Sequence, residues 1–118
     1  MKNYLLLASM VLTGTAVGAT PPSMPEAFRG VYAYSEEQCR EIRTLGWDFL
    51  YEIDPTGISS IELRCSLKSI DSSSSNKLRG FFECYGEGEE WTQEYILTNT
   101  PDGRLTGLQE DQEVVRCD

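Results

Sequence analysis

The chain has 118 residues, four cysteines, no histidine and a formal net charge of −9. That acidity argues against nucleic acid and anionic membranes as partners. The missing imidazole removes Ser-His-Asp and Cys-His nucleophilic catalysis, and the length is that of one domain with a modest core.

Met1 to Asn3 give a short positive start, 4–17 are largely apolar, and Val17-Gly18-Ala19 supply the small residues that precede a cleavage point. Residues 1–19 therefore read as a cleavable signal peptide. The apolar run is broken by Ser9, Thr13, Gly14 and Thr15, and it falls short of the roughly 20 residues a spanning helix needs. No cysteine follows closely enough to take a lipid anchor. The expected product is soluble, periplasmic or secreted. An even number of cysteines in an oxidising compartment is read as two disulfides.

Residues 20–27 hold three prolines and read as an extended lead-in to a single β domain over 28–118. A first strand is expected over 28–34, with Tyr32 and Tyr34 sharing a face outside the core. Ser35-Glu36-Glu37-Gln38 fits a capping box and starts a short helix over 36–44 that carries Cys39, and Leu45-Gly46 lets the chain leave it. From Trp47 the period becomes two, with Trp47, Phe49, Tyr51 and Ile53 on one face of a strand.

Asp54-Pro55-Thr56-Gly57 reads as a type I turn with a glycine bulge. That register sets Ile53 opposite Ser59, Tyr51 opposite Ile61, Phe49 opposite Leu63 and Trp47 opposite Cys65. The alternation of Ile61, Leu63, Cys65 and Leu67 reads as part of the same returning strand. A polar loop over 71–77 then reverses the chain.

Folding about Ser74 and Ser75 brings Cys65 opposite Cys84, Leu67 opposite Phe82 and Ile70 opposite Arg79. Opposed residues on antiparallel strands have Cβ atoms roughly 4.5–5.5 Å apart, close to what a disulfide needs. Cys65 is therefore paired with Cys84, and Cys39 with Cys117 by elimination. A turn at Gly86-Glu87-Gly88-Glu89 leads into a strand with Trp91, Gln93, Tyr95 and Leu97 on one face. A second turn at Thr100-Pro101-Asp102-Gly103 precedes short strands over 105–108 and 114–117. The expected fold is mainly β, an antiparallel meander curled into a small open or closed barrel with one helix.

The cysteines lack the close pairs of structural zinc sites. No glycine-rich phosphate loop or calcium loop is present. No metal, cofactor or catalytic residue is assigned, and a small curled sheet offers little cleft for a pair of hydrolytic carboxylates.

Phe28-Arg29-Gly30-x-Tyr32-Ala33, the segment Glu83-Cys84-x-Gly86-Glu87-Gly88-x-x-Trp91 and the closing Val115-Arg116-Cys117 resemble a pattern in a group of small exported bacterial proteins. Tyr32 stands where that group more often has tryptophan, and Tyr34 where proline is frequent. The resemblance implies an exported, disulfide-bonded β domain and transfers no catalytic residue.

In an up-and-down meander alternate turns share an end. The turns at 54–57, 86–90 and 109–113 would then converge, gathering Asp54, Glu87, Glu89, Glu90, Glu110, Asp111 and Glu113 beside Trp91 and Tyr85. Lys68, Lys77, Arg79 and Arg104 would lie at the other end. This polarity suggests a non-catalytic inhibitor or immunity-type protein docking a basic enzyme such as a lysozyme-like hydrolase. The alternatives are a lipocalin-like carrier with an open interior, or a structural or envelope-stress module. The sequence specifies no oligomeric state.

Overall fold

The computed structural model of the protein describes residues 20–46, 48 and 50–117. The expected signal peptide over 1–19 and the pairings expected of Trp47 and Phe49 lie outside the described residues. Eight strands follow in chain order and close into an antiparallel barrel: β1 (Gly30–Ala33), β2 (Tyr51–Asp54), β3 (Gly57–Ser60), β4 (Leu63–Ser73), β5 (Lys77–Gly86), β6 (Glu89–Asn99), β7 (Arg104–Thr106) and β8 (Glu113–Arg116). The last strand pairs with the first through Tyr32 with Arg116 and Ala33 with Val115. One helix, α1 (Glu36–Leu45), connects β1 to β2.

The two-residue period is clearest in β5, where Leu78, Gly80, Phe82, Cys84 and Gly86 are buried and the residues between them are exposed. A strand closed into a barrel has one face on the core and one on solvent, so alternation of this kind is what its sequence must supply. The interior is filled by Tyr32, Ile53, Ile58, Leu78, Phe82, Leu97, Leu105 and Val114, each at most 2 % exposed. Phe82 meets Tyr95 edge to face at 5.2 Å.

The lead-in differs from the extended segment expected of it. It turns through a 3-10 helix at Glu26–Phe28 and buries Met24 and Phe28 completely. The Met24 amide donates to Pro55 O at 2.9 Å, and Arg29 Nε donates to Met24 O at 2.7 Å. Each of the two buried side chains is worth about 1.5–3 kcal/mol of apolar transfer, so this segment plugs one mouth of the barrel. Leu108, 7 % exposed, joins the same core from the β7–β8 loop.

Tyr32 also departs from expectation. Its ring points inward at 1 % exposure, while Tyr34 remains 45 % exposed, so the two do not form an exposed pair. The buried Tyr32 hydroxyl donates to Phe28 O at 2.7 Å and accepts from Arg116 at 3.1 Å, and the Arg116 guanidinium stacks over the ring at 5.6 Å. A phenol can enter a core when its hydroxyl is satisfied there.

The helix begins as its capping residues dictate. Ser35 Oγ accepts from the Gln38 amide at 3.1 Å, and Gln38 Oε1 accepts from the Tyr34 amide at 2.7 Å, one residue further back than a standard box. Gly46 closes the helix at φ 72°, a left-handed conformation that glycine adopts without steric cost. The helix lies outside the barrel, where Cys39 and Ile42 pack with Ala33, Val115 and Cys117.

Both expected disulfides are present: Cys65–Cys84 with Cα atoms 4.0 Å apart, and Cys39–Cys117 with Cα atoms 5.2 Å apart. The register around them differs in two places. First, Ile53 pairs with Ile58 and Asp54 with Gly57, so the β2–β3 turn has no bulge. Asp54 Oδ1 accepts from the Thr56 amide (2.8 Å), the Thr56 hydroxyl (2.7 Å) and the Gly57 amide (3.0 Å), which locks a tight two-residue turn. Gly57 then passes so near β4 that a Cβ there would lie 1.9 Å from Cys65 O.

The chain also reverses again at 61–62, pairing Ser60 with Leu63, so Ile61 is a turn residue at 76 % exposure instead of part of β4. With Cys65 held against Cys84 on one side and Ile58 on the other, a reversal between 58 and 65 is unavoidable. Second, bulges near Lys68 and Asp71 shift β4, so that Ile70 meets Gly80 and Ser72 meets Arg79. Without them Arg79 would sit opposite Ile70. With them Ile70 turns inward opposite the buried Gly80 and packs against the core, while Arg79, on the outer face that the alternation of β5 gives it, pairs with Asp71 and Glu94.

Candidate functional site

The reversal at 61–62 adds a strand and so exchanges the ends of every earlier turn relative to the later ones. Asp54 does not join the acidic turns as expected. Its turn shares an end with those at 74–76 and 100–103, while the turns at 61–62, 87–88 and 107–112 share the other. Glu62, missed in the sequence because its neighbours keep a strand-like period, takes the place assigned to Asp54.

The β5–β6 hairpin forms the most prominent part of this rim. Glu87 (φ 51°) and Gly88 (φ 81°) are its two turn residues, both left-handed as a tight primed hairpin requires. Gly86 lies beneath Trp91, where an added Cβ would be 3.6 Å from the indole but only 2.6 Å from Glu62 O. This close approach seats the β3–β4 turn against the hairpin. Trp91 is 38 % exposed and its Nε1 donates to Gln93 Oε1 at 2.9 Å, while Tyr85 is 56 % exposed on the outer face. Arg64, Tyr85 and Glu90 form one cross-strand row. They border a groove of about 470 Å³ that also includes Lys68, Glu83 and Trp91.

The predicted acidic residues thus reach one end of the barrel but form two groups. Glu87, Glu89, Glu90 and Trp91 belong to the hairpin. Glu110, Asp111 and Glu113 belong to the β7–β8 loop, which lines a separate depression. β6 meets β7 only at Thr98 and Asn99, nine residues along the strand from Glu89, or about 30 Å at the usual rise. Among the described residues Glu87, Glu89, Glu90, Glu110 and Asp111 form no ion pair, and Glu113 lies 3.9 Å from Arg104.

The expected basic end is weaker than the acidic one. Lys77 and Arg104 lie toward it, but Lys68 and Arg79 project from the outer wall, occupied by Glu83 at 3.4 Å and by Asp71 and Glu94. At Asp54 burial alone would raise the pKa, but the Thr56 and Gly57 hydrogen bonds outweigh it with help from Arg64, leaving the carboxyl below its ordinary value. Inside the barrel, burial raises the phenols of Tyr95 and Tyr51, and a hydrogen bond from Gln109 partly offsets the shift at Tyr51.

Fold and rim together define an architectural class: an eight-stranded up-and-down barrel with a filled interior, two disulfides and an acidic hairpin at one mouth. No protein-family model, curated protein or solved structure matches the chain. No helix among the described residues is long and apolar enough to cross a membrane.

Proposed function

We propose that this is a non-catalytic exported binding protein of the inhibitor or immunity type, whose acidic rim docks a basic enzyme such as a lysozyme-like hydrolase. The observation that carries this reading is the β5–β6 hairpin, which presents Glu87, Glu89 and Glu90, without ion-pair partners among the described residues, beside the exposed rings of Trp91 and Tyr85. Unpaired rim carboxylates accelerate encounter with a cationic surface, and exposed aromatic rings supply the contact area that holds it. Both cysteine pairs are oxidised, as suits residence in the periplasm or outside the cell, and with no histidine in the chain the common nucleophile–base pairs cannot form. The filled interior counts against small-ligand carriage.

The test is capture from periplasmic extract, followed by affinity measurement with a basic lysozyme in low and high salt. The expected result is salt-sensitive binding that E87Q/E89Q/E90Q weakens about tenfold or more. Failure to capture any salt-sensitive cationic protein, or unchanged affinity in that variant, overturns the reading.

A further inference from the structure

The hairpin carries a second kind of recognition surface besides its charge. Odd-numbered residues of β6 direct their backbone N–H and C=O groups toward β5. The Asn99 amide, for instance, donates to Asn76 O, and the 4.0 Å Cα separation of Cys65 and Cys84 marks a non-hydrogen-bonded pair, which turns the backbone of Cys84 toward Trp91. Even-numbered residues therefore point the other way, as Thr98 does when it pairs with Thr106 of β7. β7 ends there. Among the described residues no backbone hydrogen bond reaches the outer edge at Glu90, Thr92 or Glu94, and all three residues are exposed.

We infer that this edge of β6 takes up an extended cationic segment of a partner protein as an added strand. The inference rests on the cationic-partner reading above and specifies its mode. Three residues offer alternating donors and acceptors at a spacing of about 6.6 Å, the template used in strand addition. β6 pairs with β5 from Gly86↔Glu89 to Lys77↔Thr98 without a register shift, so the edge is regular. β4 differs, because beyond Leu67 its own outer edge is interrupted by the bulges near Lys68 and Asp71, a common means of blunting an edge.

Charge selects the occupant. A second copy pairing antiparallel about Thr92 would set Glu90 against Glu94, and like charges directly opposed are destabilising. A strand with Lys or Arg at alternate positions would meet Glu90 and, beside its Arg79 partner, Glu94 on one face, and its intervening apolar residues would meet Trp91 on the other.

The test uses the full-length oxidised protein, a synthetic peptide alternating lysine with valine, and Thr92→Pro. The Thr92 N–H serves no hydrogen bond among the described residues, and proline is tolerated on edge strands, so T92P is expected to fold while weakening peptide binding about tenfold through the lost donor and the obstructing ring. Amide exchange on the wild-type protein gives a second readout, since the peptide should newly protect the amides of Glu90, Thr92 and Glu94. Salt-sensitive binding that T92P leaves unchanged, with no new protection of those amides, overturns strand addition while leaving the acidic docking rim in place. No binding of the peptide, or pairing of the protein with itself along this edge, also overturns the inference. Loss of salt-sensitive cationic binding in E87Q/E89Q/E90Q is the separate result on which the docking reading stands.

Discussion

Replacing Cys39 and Cys117 together by alanine should cost more through the unfolded state than the fold alone suggests. The bridge closes a loop with a sequence separation of 78, whereas Cys65–Cys84 closes one of 19. Chain-entropy arithmetic gives about 4.5 kcal/mol for the first and about 3 kcal/mol for the second at room temperature. Cys65, Cys84 and Cys39 are also buried, at 0 %, 3 % and 4 % exposure, so C65A/C84A adds a cavity cost of about 1–2 kcal/mol and C39A/C117A, with one such sulfur, about half of that. Total losses should then be similar, and the denaturant slope separates them. Urea unfolding followed by tryptophan fluorescence should give a larger rise in m for C39A/C117A, because its denatured chain expands more. A loss under about 1 kcal/mol with unchanged m in C39A/C117A refutes the reasoning.

Gly57→Ala should destabilise the protein by about 3 kcal/mol, because its Cβ would fall 1.9 Å from Cys65 O. Gly88→Ala, with nothing within 4 Å, should cost only the left-handed backbone term of about 1 kcal/mol, and thermal melts of the two variants decide it. Asp54 has a lowered folded-state pKa, so its contribution is present above the unfolded carboxyl value near about 3.9 and is lost as pH falls through the folded one. Acid titration of stability should accordingly be flatter in D54N than in wild type. Tyr95 and Tyr51 have raised values, so their contribution is complete below about pH 10 and is lost as pH rises through the folded values. Tyr95→Phe should reduce that alkaline loss in unfolding titrations monitored by circular dichroism.

Much of the barrel was legible because its physics is local. Alternation over 77–86 and the placement of Cys65 opposite Cys84 both follow from one strand period, and the pairing of Cys39 with Cys117 follows once the inner bridge is assigned. The turn at 61–62 was illegible for the same reason. Ile61 continues the period of Leu63, Cys65 and Leu67, so an exposed turn residue reads as one more core position. Missing that reversal misplaced Asp54 in the candidate site. The bulges near Lys68 and Asp71 carry no composition signal, since they answer to the placing of Ile70 against the core opposite Gly80. Met24 and Phe28 lie in a proline-rich segment without periodicity, and only the open mouth of the barrel gives them a place to go. The acidic hairpin was legible from its Gly-Glu turn. Its unpaired edge was not, because that depends on how short β7 is.

The Cys39–Cys117 bridge crosses the seam where the first strand meets the last, the neighbouring pair of barrel strands that no single connecting segment of the chain joins directly. Every other neighbouring pair is tethered by a connecting segment of the chain itself. By linking the helix after β1 to the end of β8, the bridge makes the wall covalently continuous around its whole circumference. Reduction would therefore leave the β1–β8 seam held by backbone hydrogen bonds and packing alone, with no direct covalent tether across it.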